Sequence, residues 1–280
     1  TALSNIDFDV SDGSATDLDD GGAEDLLFNF VDTAFRFYAN GSANTIGNQV
    51  AGLSTTGQNL TLKAIKSDDA TGACIAALSG TTSVDIAYEC NNPTVCTNND
   101  LLDFSAAETK TVSHNDNAEA SLSYISVDME FDANGEAPFS FNFSDSGQVT
   151  LYAHKTVTAN DPEPAFTLEG NSNALVVRPF GFDLTLAGTD QYATDYTGTR
   201  YTTAGSDFGM QVRAVNWASA DDADSDGVPD SGANLSDNSV TPNFGQESNA
   251  STVTLTHSLT APSGGTPGIL SSTSVEAGGS

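Results

Sequence analysis

The sequence predicts an all-β protein, and two observations carry that prediction. Segments of alternating apolar and polar residues, rich in β-branched and aromatic side chains, recur along nearly the whole chain. Clusters of Gly, Asn, Asp and Ser separate these segments at the spacing of about 8–12 residues that is typical of antiparallel sandwiches. Residues 24–38 have some helical spacing, but their Phe and Val content favours strand. The predicted fold is therefore a tandem array of immunoglobulin-like antiparallel β-sandwich modules.

The strand pattern is clearest in nine segments, which are residues 59–65, 82–88, 120–129, 138–143, 148–153, 175–178, 181–186, 210–215 and 251–259. Residues 139–153 also predict a hairpin. Two alternating segments there flank the turn sequence Ser-Asp-Ser-Gly at residues 144–147.

A weak internal repeat indicates two modules. Residues 55–65 resemble residues 203–215, and residues 127–135 are echoed by residues 273–279. Together with the stretch Asp161-Pro-Glu-Pro164, the repeat predicts four parts. These are an acidic segment or edge strand at 1–33, a first sandwich at 34–155, a linker at 156–174 and a second sandwich at 175–280. No closing hairpin follows the second echo, so we expect the second sandwich to be truncated at its C-terminus.

The charge is far from balanced, with 38 Asp and Glu against 8 Lys and Arg and a formal net charge of −30. Nucleic acid and anionic membranes are bound through basic patches, so we expect neither as a partner. No apolar run approaches the roughly 18 residues of a membrane span, which argues against membrane insertion. Scattered Asp in Ser-, Thr- and Asn-rich sequence is typical of a solvated, exported protein, and its charge attracts divalent cations.

Three cysteines, Cys74, Cys90 and Cys96, lie close together in the sequence. No His is near them, so a disulfide is favoured over a zinc site. The turn sequence Asn-Asn-Pro-Thr-Val between Cys90 and Cys96 favours that pair. The pairs Cys74–Cys90 and Cys74–Cys96 remain alternatives, and each pairing leaves one thiol over.

The best candidate site is Asp222-Ala-Asp-Ser-Asp-Gly-Val-Pro-Asp230. Aspartates at positions 1, 3 and 5 with Gly at position 6 match the start of a calcium loop. The predicted ligands are the carboxylates of Asp222, Asp224 and Asp226, the carbonyl oxygen of Val228, and Asp230. Position 12 is Ala233 rather than Glu, so we expect weak affinity, about 10⁻⁴–10⁻³ M. The alternative is an acidic loop held open by charge repulsion.

Two further residues are candidates for a structural or binding role. Arg178 is one of few basic residues, and it is interpreted either as the partner of a carboxylate at the module junction or as an exposed strand arginine. Trp217, the single Trp, is interpreted as a core or loop anchor, with carbohydrate stacking as the alternative. No catalytic Ser/His/Asp set stands out, so an enzyme is not expected.

Several motifs, in order, resemble one family. The first pair is Phe131-Asp-Ala-Asn-Gly-Glu-Ala137 and Phe143-Ser-Asp-Ser-Gly-Gln-Val-Thr-Leu-Tyr-Ala153. The others are Val176-Val-Arg-Pro-Phe-Gly-Phe182, Thr241-Pro-Asn-Phe-Gly245, and Ala73-Cys74 with Glu89-Cys-Asn-Asn-Pro93. Over residues 35–280 they resemble the MSHA-type pilus biogenesis proteins of the Q group, which are large surface proteins of Gram-negative bacteria.

The resemblance implies a location and a role, but no catalytic residue. We expect an extracellular or cell-surface module with a structural or adhesive function, associated with a type IV pilus. Its partners would be other surface or pilus proteins, or copies of itself. One alternative is a glycan-binding adhesin module. Another is a self-assembling filament subunit, in which residues 6–10 of a neighbour complete an open sheet edge.

Overall fold

The computed structural model describes residues 3–6, 28–30, 32–55, 58–68, 71–99, 101–113, 122–159, 165–187, 201–203, 205–249, 252–258, 263–266, 268–269 and 274–276. The strands of this part of the chain are β1 (Leu3–Ile6), β2 (Phe28–Phe30), β3 (Thr33–Ala39), β4 (Ser42–Ala43), β5 (Gln49–Val50), β6 (Leu60–Ser67), β7 (Cys74–Ala76), β8 (Gly80–Asn92), β9 (Leu102–Ser105), β10 (Thr109–Val112), β11 (Ile125–Phe131), β12 (Glu136–Phe143), β13 (Gly147–Val157), β14 (Phe166–Asn171), β15 (Leu175–Arg178), β16 (Gly181–Ala187), β17 (Gly209–Val215), β18 (Thr252–Thr254) and β19 (Ser274–Glu276).

Two sheets form a sandwich from β3 to β15, here called the first sandwich. One sheet has the order β10-β9-β12-β6-β3-β4, with β7 also paired to β6. The other has the order β11-β8-β13-β15-β5, with β14 also paired to β13. All of these pairs are antiparallel except β15 with β5. The predicted all-β antiparallel class is thus confirmed.

Alternation along the strands supplies the core between these sheets. In β12 every second residue is buried, and Phe139, Phe141 and Phe143 point inward. The ring of Phe139 stacks on Phe104 at 5.0 Å and meets the edge of Phe37 at 5.7 Å. Burying each such ring contributes about 1.5–3 kcal/mol, so the aromatic residues account for much of the stability of the first sandwich.

The predicted hairpin over residues 139–153 is wrong. Strand β12 pairs with β6 and β9, whereas β13 pairs with β8, β14 and β15 in the opposite sheet. The turn between them therefore crosses the sandwich instead of closing a hairpin. Its residues Asp145 and Ser146 are buried, unlike the exposed tip of a hairpin turn.

The predicted linker at 156–174 is also corrected. Strand β14 lies within that segment and pairs with β13 from Tyr152↔Asn171 to Val157↔Phe166. Strand β15, predicted to open the second sandwich, pairs with β13 and β5 of the first. The segment forms a strand because its Leu168 is buried in the first sandwich, as is Leu175 directly after it, which proline content alone did not reveal.

Beyond β15 the described chain, here called the C-terminal part, has a lower density of strands. Strands β16 and β17 pair along their length, and β18 pairs with β19. A short 3-10 helix, Leu235–Asp237, follows the aspartate-rich segment. Near the N-terminus β1 pairs with β2 of the same chain, while residues 7–10 of the expected complementing strand lie outside the described residues. No helix in the described ranges is long and apolar enough to cross a membrane.

A close approach between the two sheets predicts that one glycine is sensitive to substitution. A Cβ atom at Gly170 of β14 would lie 2.0 Å from the carbonyl oxygen of Phe35 in β3. Gly170→Ala is expected to lower the free energy of unfolding by about 1–3 kcal/mol, because the two backbones must separate. Urea denaturation of the wild type and the variant measures this change in the free energy of unfolding. The control is Gly47→Ala, whose Cβ would meet only the flexible Gln58 amide at 3.4 Å. Equal effects of the two substitutions would contradict the close packing.

Candidate functional site

The candidate site is the aspartate loop, residues 222–230, which lies between β17 and the 3-10 helix. Asp222 anchors it from within, since only 1% of this residue is exposed. Its Oδ2 accepts hydrogen bonds from Trp217 Nε1 at 2.8 Å and from the Gly227 N–H at 2.9 Å, and Oδ1 accepts one from the Asp226 N–H at 3.1 Å. The loop thus wraps around one buried carboxylate. Trp217 is a loop anchor, as the favoured interpretation predicted.

Two residues with a left-handed backbone conformation turn the loop around Asp222. Ser225 has φ = +58° and Gly227 has φ = +81°. At Gly227 any Cβ would also meet Val50 at 2.8 Å, so glycine is needed for conformation and for space. This is the sharp turn that the glycine at position 6 predicted.

The loop brings three of the five predicted ligands together. One carboxylate oxygen from each of Asp222, Asp224 and Asp226 lies within 4.8 Å of the other two. Asp230 is turned toward the backbone instead, and its Oδ2 accepts the Ala223 N–H at 2.9 Å. Val228 donates its N–H to Asp226 Oδ1 at 2.8 Å. The three converging carboxylates are hard oxygen ligands of the kind that Ca²⁺ prefers.

Opposite pKa shifts mark the crowding of these carboxylates. A hydrogen bond to Asp222, together with repulsion from Asp226, raises the pKa of Asp224. Burial acts to raise the pKa of Asp222, but the hydrogen bonds from Gly227 and Trp217 outweigh it and lower that pKa. A divalent cation would relieve the repulsion that the raised pKa of Asp224 reflects.

Two of the chain's four arginines, Arg178 and Arg213, form hydrogen bonds near the aspartate loop. Arg178 Nη2 donates to the Gly227 carbonyl oxygen at 2.7 Å, and Nη1 donates to the Pro179 carbonyl oxygen at 3.2 Å. Arg178 therefore binds two backbone carbonyl groups, one of them in the aspartate loop, instead of the carboxylate that the sequence suggested. Arg213 instead forms the ion pair, with Asp183 across β16 and β17.

The aspartate loop sits where the C-terminal part meets one end of the first sandwich. We call this contact the junction: residues 50–53, 92–97 and 144–146 on one side, and residues 216–217, 227 and 241–248 on the other. The backbone N–H of Trp217 donates a hydrogen bond to the Ala51 carbonyl oxygen at 2.8 Å. Asn216 Nδ2 donates to the Ser144 carbonyl oxygen at 2.8 Å.

A disulfide braces the junction on the sandwich side. Cys90 and Cys96 are bonded with their Cα atoms 5.8 Å apart, the pair that the turn sequence favoured, and Cys74 is exposed and unpaired. Directly after the loop that they close, Thr97 donates its N–H to Asn243 Oδ1 at 2.8 Å. The cysteines therefore fix a contact surface rather than a metal.

Sequence reasoning missed one titratable residue, Asp145. It is fully buried at the junction, and burial raises its pKa to about 7 despite hydrogen bonds from the N–H groups of Ser146 and Asn243; nearby Glu247 raises it further. Its only sequence signal was a position in a Ser-Asp-Ser-Gly turn, which normally indicates exposure.

The fold and the site define a class: two antiparallel β domains joined by a hydrogen-bonded junction that carries an aspartate loop. Residues 15–171 match the family described as a domain of unknown function (DUF6701), first Ig-like domain, and residues 178–280 match the DUF6701 second domain. The chain belongs to the DUF6701 family, and its first sandwich is the Ig-like domain. Comparison with curated proteins and with solved structures gave no match.

The buried carboxyl predicts a pH dependence in calcium-free, chelator-containing buffer. The pKa of Asp145 in the folded state, about 7, lies above its ordinary value of 3.8. Its contribution to stability is therefore complete below about pH 4 and is lost as the pH rises to about 7. Relative to Asp145→Asn, the wild type should lose at most about 4 kcal/mol over that range.

Urea denaturation at several pH values measures the difference between the two proteins, because the other titrating groups are common to both. Asp128→Asn, on an exposed position of β11, is the matched control and should leave the pH profile unchanged. Parallel profiles for wild type and Asp145→Asn would contradict a buried carboxyl with a raised pKa.

Proposed function

We propose that this chain is a structural or adhesive module of an exported cell-surface protein, associated with a type IV pilus. Its task is to hold two β domains in a fixed relative arrangement, with Ca²⁺ bound at the aspartate loop. The observation that carries the proposal is that this loop is built into the junction. Arg178 donates a hydrogen bond to the Gly227 carbonyl oxygen, and the indole N–H of Trp217 donates one to Asp222. The backbone N–H of Trp217 binds the Ala51 carbonyl oxygen in the first sandwich.

Calcium at this position would stiffen the contact between the domains. The ligands would be Asp222, Asp224 and Asp226, with the Val228 carbonyl oxygen and Asp230 completing the shell directly or through water. Ala233 stands where a full calcium loop has its bidentate Glu, which places the affinity in the weak range used by extracellular modules.

The proposed location and partners rest on the charge of the chain, its disulfide and the motifs that resemble a known family. A net charge of −30 and a disulfide suit an exported protein outside the cell. The motifs from Phe131 to Gly245 that resemble the MSHA-type pilus proteins support a bacterial surface and a pilus association. The partners would be other surface or pilus proteins, or copies of this chain.

A second candidate is glycan binding, and a cleft beside the aspartate loop favours it. The cleft has a volume of about 580 Å³ and includes Asn234, Asp237 and Asn238 in its lining. Amide and carboxylate groups are the polar partners of sugar hydroxyls. Trp217 is not among the lining residues, and its indole N–H is already bonded to Asp222.

A calcium titration tests the leading proposal. In wild type, calorimetry should detect binding with a dissociation constant of about 10⁻⁴–10⁻³ M. Emission from Trp217, the single Trp, should change along the same curve, because its indole bonds a ligand residue. Asp224→Ala should abolish the change in emission. The matched control Asp237→Ala, an exposed acid near the loop, should retain it. No response at millimolar Ca²⁺ would refute the calcium site.

A glycan array separates the two candidate functions. A module that only positions its neighbours should give no saturable binding to any glycan. Saturable binding that Asn234→Ala abolishes, while the Asp224→Ala variant keeps it, would favour the cleft and the second candidate.

A further inference from the structure

Four side-chain oxygens at the junction are buried and lack a hydrogen-bond partner among the described residues. They are Asp145 Oδ2, Ser146 Oγ, Asn216 Oδ1 and Thr241 Oγ1. Their residues are 0%, 1%, 8% and 3% exposed. An unpartnered buried polar atom is destabilising, so four in one region indicate a ligand that pairs with oxygen.

Hydrogen bonds connect the three segments that carry these oxygens. Asn216 reaches Ser144 through its Nδ2, and Asn243 donates its N–H to Asp145 Oδ1 at 3.1 Å. Thr241 lies opposite Ala214, two residues before Asn216, because its N–H binds the Ala214 carbonyl oxygen at 2.9 Å and Val215 forms an antiparallel bridge with Val240. The orphaned oxygens therefore come from both domains, on segments that backbone and side-chain hydrogen bonds connect around the Asp145 turn.

Two acidic residues, Asp145 and Glu247, lie close to each other in this region. Glu247, half-buried, is close enough to act on Asp145 electrostatically, and its Oε2 accepts the Gly245 N–H at 2.7 Å. Within the described ranges Asp145 forms no ion pair. A buried carboxylate without compensation is costly, so a bound cation would stabilise it.

We propose that the junction binds a second Ca²⁺ ion, held by Asp145 Oδ2, Ser146 Oγ, Asn216 Oδ1 and Thr241 Oγ1, with Glu247 in reach. The donor set is oxygen only and combines carboxylate, amide and hydroxyl groups, which suits Ca²⁺ rather than a softer metal. Because the ligands come from both domains, the ion would fasten them to each other. This site shares no residue with the aspartate loop and does not depend on it.

Equilibrium dialysis of the whole chain against radioactive Ca²⁺ counts the bound ions. Wild type and the charge-matched control Asp128→Asn should each bind two ions near saturation. Asp145→Asn and Asp224→Asn should each bind one, and the double variant none. Thr241→Val keeps every charge, and it should weaken the junction ion about tenfold through the loss of one ligand.

The outcomes separate the two sites. An unchanged count in Asp145→Asn, or a wild-type count of one that Asp224→Asn abolishes, would overturn the junction ion and leave the loop site intact. A buried water in place of the ion would give the same result. A count of one in wild type that only Asp145→Asn abolishes would support the junction ion and refute the loop.

Circular dichroism and thermal melting in chelator should show that Asp145→Asn and Thr241→Val are folded. If Asp145→Asn is not, the Thr241→Val result decides: an affinity equal to that of wild type would overturn the proposal.

Discussion

The backbone N–H of Trp217 binds the carbonyl oxygen of Ala51. This hydrogen bond joins the two domains just before the chain enters the aspartate loop. A side chain at Gly52 would meet the Trp217 nitrogen at 3.0 Å, so the backbones can approach only because that residue is glycine. From this point the indole of Trp217 reaches Asp222, and Asp222 organises the loop. The candidate site therefore depends on the docking of one domain on the other.

The loop and the junction illustrate two ways in which a very acidic chain uses its charge. Acidic residues such as Asp128 and Asp237 are exposed, and water solvates their charge. Asp222 and Asp145 are different, because both are buried and hydrogen-bonded by backbone N–H groups. For Asp222 these bonds prevail over desolvation and lower the pKa, whereas for Asp145 desolvation prevails and raises it.

The sequence predicted much of the fold at the level of strands and little at the level of pairing. Alternation identifies which residues face the core, so Phe139–Phe143 and its neighbours were predicted correctly as strands. It does not identify the partner strand, so β12 and β13 were joined in a hairpin although they lie in opposite sheets. At the site, spacing identified Asp222, Asp224 and Asp226, but burial of Asp145 depends on contacts with Asn243, 98 residues away, that no local pattern reveals.

The distance between the two domains tests the central claim that the junction holds them in one arrangement. Spin labels on the natural Cys74 of the first sandwich and on an exposed position of the second domain, Asp237→Cys, would report it by double electron–electron resonance. The account predicts a single narrow distance distribution in Ca²⁺, which broadens when Asn216→Ala removes the bond to Ser144. A broad distribution in the unaltered junction, insensitive to Ca²⁺, would contradict it.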